Sequence, residues 1–352
     1  MKINKFINKR PYLISGPCSA ESERQVYNTA YALKDTIDVF RAGLWKPRTK
    51  PGNFQGIGAK GLSWLNKIQD ELKLKVCTEV ATPKHVELCL NAGIDILWIG
   101  ARTTVNPIYI DEICEALKGV NIPVFVKNPI HPELGLWLGA FERLNKFGIN
   151  NLAAIHRGFF SYSKNTYRND PKWEVIIKLR KENQNIPVLC DASHIAGNSI
   201  YIEDICQTAM DLDLDGLMIE THYNPAIALS DAKQQIKPEL LINIMNNLVL
   251  KDSSLKDKNF EKKLLQLRNE IDLLDQKTIF LLKKRKHIVE KIANFKNEKK
   301  ITIFQIERWL QILRTRKKEG EKWGIDSQMI SELFEIIHKY SILTQTKIMR
   351  NS

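Results

Sequence analysis

No apolar run in the 352-residue sequence approaches the roughly 20 residues that a membrane helix needs. The opening segment MKINKFINKRPYLISG also lacks the apolar core and small-residue cleavage site of a secretory signal, which sets the expectation of a cytoplasmic protein. The six cysteines (Cys18, Cys77, Cys89, Cys114, Cys190 and Cys206) include no C-x-x-C pair and lie mostly inside apolar runs. That spacing speaks against a disulfide framework or a zinc ribbon and fits a reducing compartment. No RNA- or DNA-reading motif accompanies the net charge of +13. The excess sits in the tail, where Lys256 onward holds 23 Lys and Arg against 13 Asp and Glu, while the preceding residues hold 30 against 27. Neither nucleic acid nor a membrane is the expected partner, and anionic small molecules account for basic residues equally well.

What is present is a repeating pattern. Short apolar runs recur through the first 250 residues: YLISG (12–16), VFRAGLW (39–45), KVCTEV (75–80), DILWIGA (95–101), PVFVKN (123–128), LAAIHRG (152–158), PVLCDAS (187–193) and GLMIET (216–221). They are too continuously apolar for half-exposed strands and predict strands buried on both faces. Segments of helical period separate them, among them TPKHVELCLNAG, which opens with Thr-Pro and stops at Gly as a helix does. Eight strands alternating with helices predict a closed (β/α)₈ TIM barrel of about 250 residues. A doubly wound open sheet is the alternative, but no G-x-G-x-x-G follows the first run.

A barrel places its chemistry at the carboxyl ends of its strands. Those ends hold Cys18, Arg41 with Lys46 and Arg48, Glu79, Arg102, Lys127, Arg157, Asp191 with His194, and Glu220. The cations suit phosphate and carboxylate groups, the arginines as planar forks. Cys18, His194, Glu220 and the later Asp231 make a candidate S/N/O/O site for a divalent metal.

At these residues the sequence resembles the type I DAHP synthases, which condense phosphoenolpyruvate with erythrose 4-phosphate. The resemblance rests on GPCSAES, KPRT, IGART, HRG, DASH and GLMIETH in the family's order. It implies Cys18, His194, Glu220 and Asp231 as ligands of a divalent ion, manganese or another. It further implies that Arg41, Lys127, Arg102 and Arg157 hold phosphoenolpyruvate, while Lys46, which is also catalytic, Arg48 and Thr49 hold erythrose 4-phosphate. The sister family that makes 3-deoxy-octulosonate 8-phosphate has Asn-Arg where this chain has Pro47-Arg48, which favours the four-carbon sugar phosphate.

Beyond Met245 the strand pattern ends. The chain is divided accordingly into a barrel over 1–250, a polar linker over 251–259 and an all-α three-helix domain over 260–352. In the first helical segment, over thirty residues long, Leu264, Leu267, Ile271, Leu274, Leu281, Ile288 and Ile292 form an amphipathic stripe. A second helix is expected to close at Gly320, and a third to start from Asp326 or Ser327. Three helices cannot easily bury so long a stripe, which predicts a homodimer or higher oligomer through them. LRNEIDLLDQ, LLKKR, IANFK, ERW and SILTQ resemble the all-α chorismate mutases. The resemblance implies that Arg268, donated by a partner subunit, with Arg285 and Arg308 holds the carboxylates of chorismate. Lys296 and Gln345 would flank its ether oxygen, with Ser341 among the binding residues. Trp309 stands where many members carry Glu, and Gln305 where some carry Asp. The sequence therefore reads as a bifunctional enzyme, the alternative being a synthase whose tail senses prephenate or chorismate.

Overall fold

In the computed structural model, which describes residues 7, 11–46, 52–162, 166–251 and 258–350, every one of the eight apolar runs forms a parallel strand. They are β1 (Tyr12–Gly16), β2 (Val39–Arg41), β3 (Lys75–Val80), β4 (Ile96–Ile99), β5 (Val124–Lys127), β6 (Leu152–His156), β7 (Val188–Asp191) and β8 (Gly216–Glu220). They pair in chain order, and β1 returns to β8 with Tyr12 opposite Gly216, so the barrel closes and the open-sheet alternative falls. Most runs outlast their strands: VFRAGLW contributes only Val39–Arg41, and the rest turns into the mouth. The helix predicted from TPKHVELCLNAG spans Pro83–Asn91, with the Thr82 hydroxyl accepting from His85 N. Helix and strand alternate as the periodicity requires.

Closure separates two apolar cores. Inside the barrel, Ile14, Val39, Ile96, Phe125, Ile155 and Met218 pack together, while their strand neighbours Leu13, Phe40, Leu97, Val124, Ala154 and Leu217 face the helices. Because side chains alternate along a strand, the next inward position above the interior layer is dictated. Those positions are Arg41, Glu79, Lys127, Arg157, Asp191 and Glu220.

The chain divides into two compact units, Met1–Ser253 and Ser254–Ser352. The expected linker lies mostly outside the described residues. The second unit consists of a long helix, Lys258–Glu298, a middle helix, Ile306–Lys322, and a last helix, Ser327–Arg350, which packs against both others. Asp326 caps the last helix by accepting from Met329 N at 2.8 Å. The expected stop at Gly320 is overturned. The middle helix runs through it, because Gly320 is buried where a Cβ would come within 2.5 Å of Ile330 Cγ1, and the left-handed glycine is Gly324 at φ +70°. The face of the long helix that packs within the chain carries Val289 and Ala293, both buried, whereas Leu267, Ile271, Leu274 and Leu281 on the stripe read from the sequence remain exposed.

At the amino-terminal rim a carboxylate device recurs. Asp38, Asp95 and Asp215 each precede an even-numbered strand and accept a backbone N–H from the first or second residue of the preceding odd strand, from Leu13 N (2.8 Å), Val76 N (2.8 Å) and Val188 N (2.7 Å). Each bond satisfies a strand-end donor that the ladder leaves over. Asp95→Ala is expected to leave Val76 N–H without this partner and cost the barrel about 1–3 kcal/mol. Chemical unfolding of the full chain checks this, and Asp95→Asn should recover part of the loss.

Candidate active site

The polar residues brought inward by strand alternation form a layer of buried charge at the mouth. Arg41 and Glu220, each with a fully buried side chain, pair at 3.0 Å. Lys127 reaches Asp191 at 2.7 Å. Between the two pairs stands Trp98, whose ring lies under the Arg41 guanidinium at 4.9 Å and the Lys127 ammonium at 5.7 Å and whose Nε1 donates to Glu79 at 3.1 Å. The aromatic face stabilises both cations where water is excluded.

Asp191 links this layer to His194. Its carboxylate accepts from Lys127 and lies 2.9 Å from His194 Nδ1. Burial opposes its charge, but His194 and Lys127 more than offset that and hold the carboxyl well below its usual range. With Nδ1 engaged, His194 Nε2 points to Glu220 Oε1 at 3.8 Å. Cys18 Sγ lies 3.3 Å from Asp231 Oδ2, and burial with nearby Glu220 pushes that thiol up to about 12. The four expected ligands therefore come together in two pairs. Among the described residues no group of three or more such side chains is assembled as a ready metal cage. Arg41 and Gln234 engage Glu220, and Arg168 engages Asp231. The donor set nonetheless suits a borderline divalent ion: a thiol, an imidazole oriented by a carboxylate, and two carboxylates.

Beside these donors opens a cavity of about 310 Å³ whose lining includes Arg102, Lys127, Arg157 and Arg168. Three of the four cations expected around phosphoenolpyruvate thus share one cavity. Arg41 is not among its lining residues, being buried beneath with its Nε and Nη1 unpartnered. Arg157 donates to the neutral Asn169 Oδ1 at 3.0 Å. Burial, reinforced by Arg168 and Arg102, lowers its guanidinium to about 10. Such crowding of cations favours binding of an anion.

Lys46 folds back over Gly43, where a Cβ would meet Lys46 Cε and Nζ at 2.5 Å and the Cys18 carbonyl at 2.7 Å. Its charge acts on Cys18 and Glu220. Arg48 and Thr49, expected beside it, lie outside the described residues. Sequence reasoning passed over Trp98, Arg168, Asn169 and Gln234. Trp98 was legible from the alternation that puts Ile96 inward, but the others sit on connecting segments that no period marks.

In the helical unit Arg285 donates to Ser341 Oγ at 2.5 Å, and Lys296 to the carbonyls of Thr302 and Ile303 at 3.1 and 2.7 Å. Burial lowers both cations from their usual values. Gln345 is buried with its Oε1 unpartnered. Arg308 bonds Gln311 on its own helix at 2.7 Å. Arg268 is exposed and, seventeen residues before Arg285, stands about 25 Å from it along the helix. One chain does not bring Arg268 to the others.

The comparisons with known proteins divide the chain at the same junction. The family model described as DAHP synthetase I family matches residues 2–256, and that for chorismate mutase type II matches 267–346. The phospho-2-dehydro-3-deoxyheptonate aldolase of Thermotoga maritima is 31% identical over 241 residues, covering 67% of this chain and 68% of that one. The 2-dehydro-3-deoxyphosphooctonate aldolase of Bordetella petrii is 26% identical over 270 residues, covering 71% and 93%. A crystal structure of the Thermotoga maritima aldolase superposes with a TM-score of 0.62 at 30% identity, covering 67% of each chain.

His156, which precedes Arg157, sits among Trp137, Phe159 and Trp173, with both ring nitrogens buried and no side chain bonded to either. Burial pulls its pKa down to about 3, against a weaker opposing pull from the Pro171 carbonyl. Between about 3 and the ordinary value of 6.5 the unfolded chain binds the proton that the folded barrel refuses, so stability falls as pH falls. Lowering pH from 6.5 to 5 should cost about 2 kcal/mol through this residue. His156→Phe should flatten that part of the slope in unfolding measured across pH.

Proposed function

Because the chain belongs to the DAHP synthetase I family and carries a chorismate mutase type II domain, making it a bifunctional enzyme of the shikimate pathway, we propose the following substrates and residue roles. The barrel, residues 1–250, joins phosphoenolpyruvate to erythrose 4-phosphate, and the helices, residues 260–352, rearrange chorismate to prephenate. The observation that carries the first half is the convergence of Arg102, Lys127 and Arg157 on one cavity beside Cys18, His194, Glu220 and Asp231. Arg168 joins them as a further cation at the same wall.

These cations hold the phosphate and carboxylate of phosphoenolpyruvate and fix its plane, so that C3 faces the aldehyde carbon of the sugar phosphate. Lys46, Arg48 and Thr49 bind the second phosphate. Pro47 and the higher identity to the Thermotoga maritima relative favour the four-carbon aldehyde. As C3 attacks, positive charge develops at C2, water adds there, and phosphate leaves from the resulting hemiketal. A divalent ion, manganese by preference, held by Cys18, His194, Glu220 and Asp231, would supply Lewis acidity toward the aldehyde oxygen when bound. Asp191 keeps the His194 ring oriented, with Nδ1 engaged and Nε2 available.

The mutase step needs neither a nucleophile nor proton transfer. Arg285 and Arg308, with Arg268 of a second copy, hold the dianion folded. Lys296 and Gln345 stabilise charge on the breaking ether oxygen. The exposed stripe of the long helix supports the dimer this requires, since Leu281 is 63% and Ile271 56% exposed in the single chain. A second reading, in which the helices are mainly a prephenate- or chorismate-sensing and dimerising module with little mutase activity that regulates the barrel, is favoured by the departures at Trp309 and Gln305.

The two halves are testable in one preparation. Chelation should abolish condensation of phosphoenolpyruvate with erythrose 4-phosphate and leave chorismate turnover intact, and Lys296→Ala should do the reverse, lowering mutase kcat by about 100-fold or more. Full condensation under chelator would remove the metal role. Unchanged turnover in Lys296→Ala would remove the role given to that lysine, absence of chorismate turnover in the folded wild type would remove the mutase assignment, and added prephenate in the condensation assay decides the regulatory reading.

A further inference from the structure

Among the described residues of the helical unit, His338 is a titratable group that the expected roles do not use. His338, on the last helix, lies face to face with Trp309 of the middle helix, their rings 4.1 Å apart and inclined by 12°. Phe304 closes a second side at 5.9 Å. The Nε2 of His338 is buried and has no hydrogen-bond partner. His338 shares a helix face with Ser341 and Gln345, three and seven residues on. Ser341 receives Arg285, and Gln345 carries the other unpartnered buried polar atom of that face.

Burial lowers the imidazole from its usual value, and the charges of Arg285 and Lys296 lower it further. The ring is therefore neutral near pH 7 and stands within the field of two cations expected to hold a dianion. A neutral imidazole nitrogen can donate to or accept from a hydroxyl, whereas a lone buried polar atom without a partner is costly. Trp309 occupies the position at which many chorismate mutases carry a carboxylate. Its indole fixes the imidazole plane and shields it from water. An indole cannot accept a hydrogen bond from a substrate hydroxyl as a carboxylate does, but the ring stacked on it can.

We propose that His338, held in orientation by Trp309, is the specificity-determining residue that hydrogen-bonds the ring hydroxyl of chorismate through Nε2. The assignment rests on the mutase reading of the helical unit. It also explains a charge consequence: replacing a carboxylate by a neutral ring leaves Arg285 and Lys296 uncompensated for the incoming dianion.

The test uses the full chain and compares chorismate with its analogue lacking the ring hydroxyl, for wild type, His338→Phe and His338→Gln. Circular dichroism and the barrel's condensation rate verify that each variant is folded. Wild type should lose about 10- to 100-fold in kcat/KM when the hydroxyl is removed, the worth of a buried hydrogen bond. His338→Phe should show that loss already with chorismate and little further loss with the analogue. His338→Gln should retain most of the discrimination. Equal sensitivity to the hydroxyl in wild type and His338→Phe overturns the proposal while leaving the mutase reading standing. A folded wild-type chain without chorismate turnover overturns that reading, and the proposal with it.

Discussion

Closure of eight parallel strands is the constraint from which the rest of the barrel follows. Once β1 pairs with β8, every strand has two neighbours and alternate side chains are committed to an enclosed axis. The lower part of that axis is filled by Ile14, Val39, Phe125 and Met218. The next inward positions cannot turn away, so Arg41, Lys127, Asp191 and Glu220 carry charge into a space with almost no water. Charges in such a place persist only when paired. The Arg41–Glu220 and Lys127–Asp191 pairs, with Trp98 between the two cations, meet that requirement.

The same pairing sets what the site can do. Lys127 and His194 keep Asp191 ionised, and Asp191 in turn holds the His194 ring so that Nε2 is available toward Glu220. At the cavity wall the balance tips the other way. Arg157 donates to the neutral amide oxygen of Asn169, within the field of Arg102 and Arg168. Excess positive charge at that wall favours binding of an anion beside the sulfur, nitrogen and oxygen donors.

The helical unit obeys a different constraint. A 41-residue helix packed by one shorter helix cannot hide both of its apolar faces. Val289 and Ala293 are covered within the chain, and the stripe through Leu267, Leu274 and Leu281 stays exposed. Arg268 lies along the exposed half of the long helix and Arg285 along the partly covered one, so a single chain keeps the two apart. Where burial is achieved, at Ser341 and Gln345, the cationic cluster and the Trp309–His338 stack are found with it.

Local pattern determined a great deal here: eight strand positions, the start of the helix at Pro83, the three tail helices and the metal-competent residues at strand ends all follow from period, caps and residue chemistry. It was silent or mistaken where the answer depended on contacts distant in sequence. Gly320 read as a helix stop until Ile330 was seen against it. The stripe with the most regular spacing proved to be the one left uncovered. Arg168 and Gln234 reach Asp231 and Glu220 from connecting segments with no period at all. Residue order decides propensity and face, because those act over one turn or two. Only closure of the barrel and packing of the helices decides which charges meet, because a buried ion pair such as Arg41–Glu220 joins residues 179 apart.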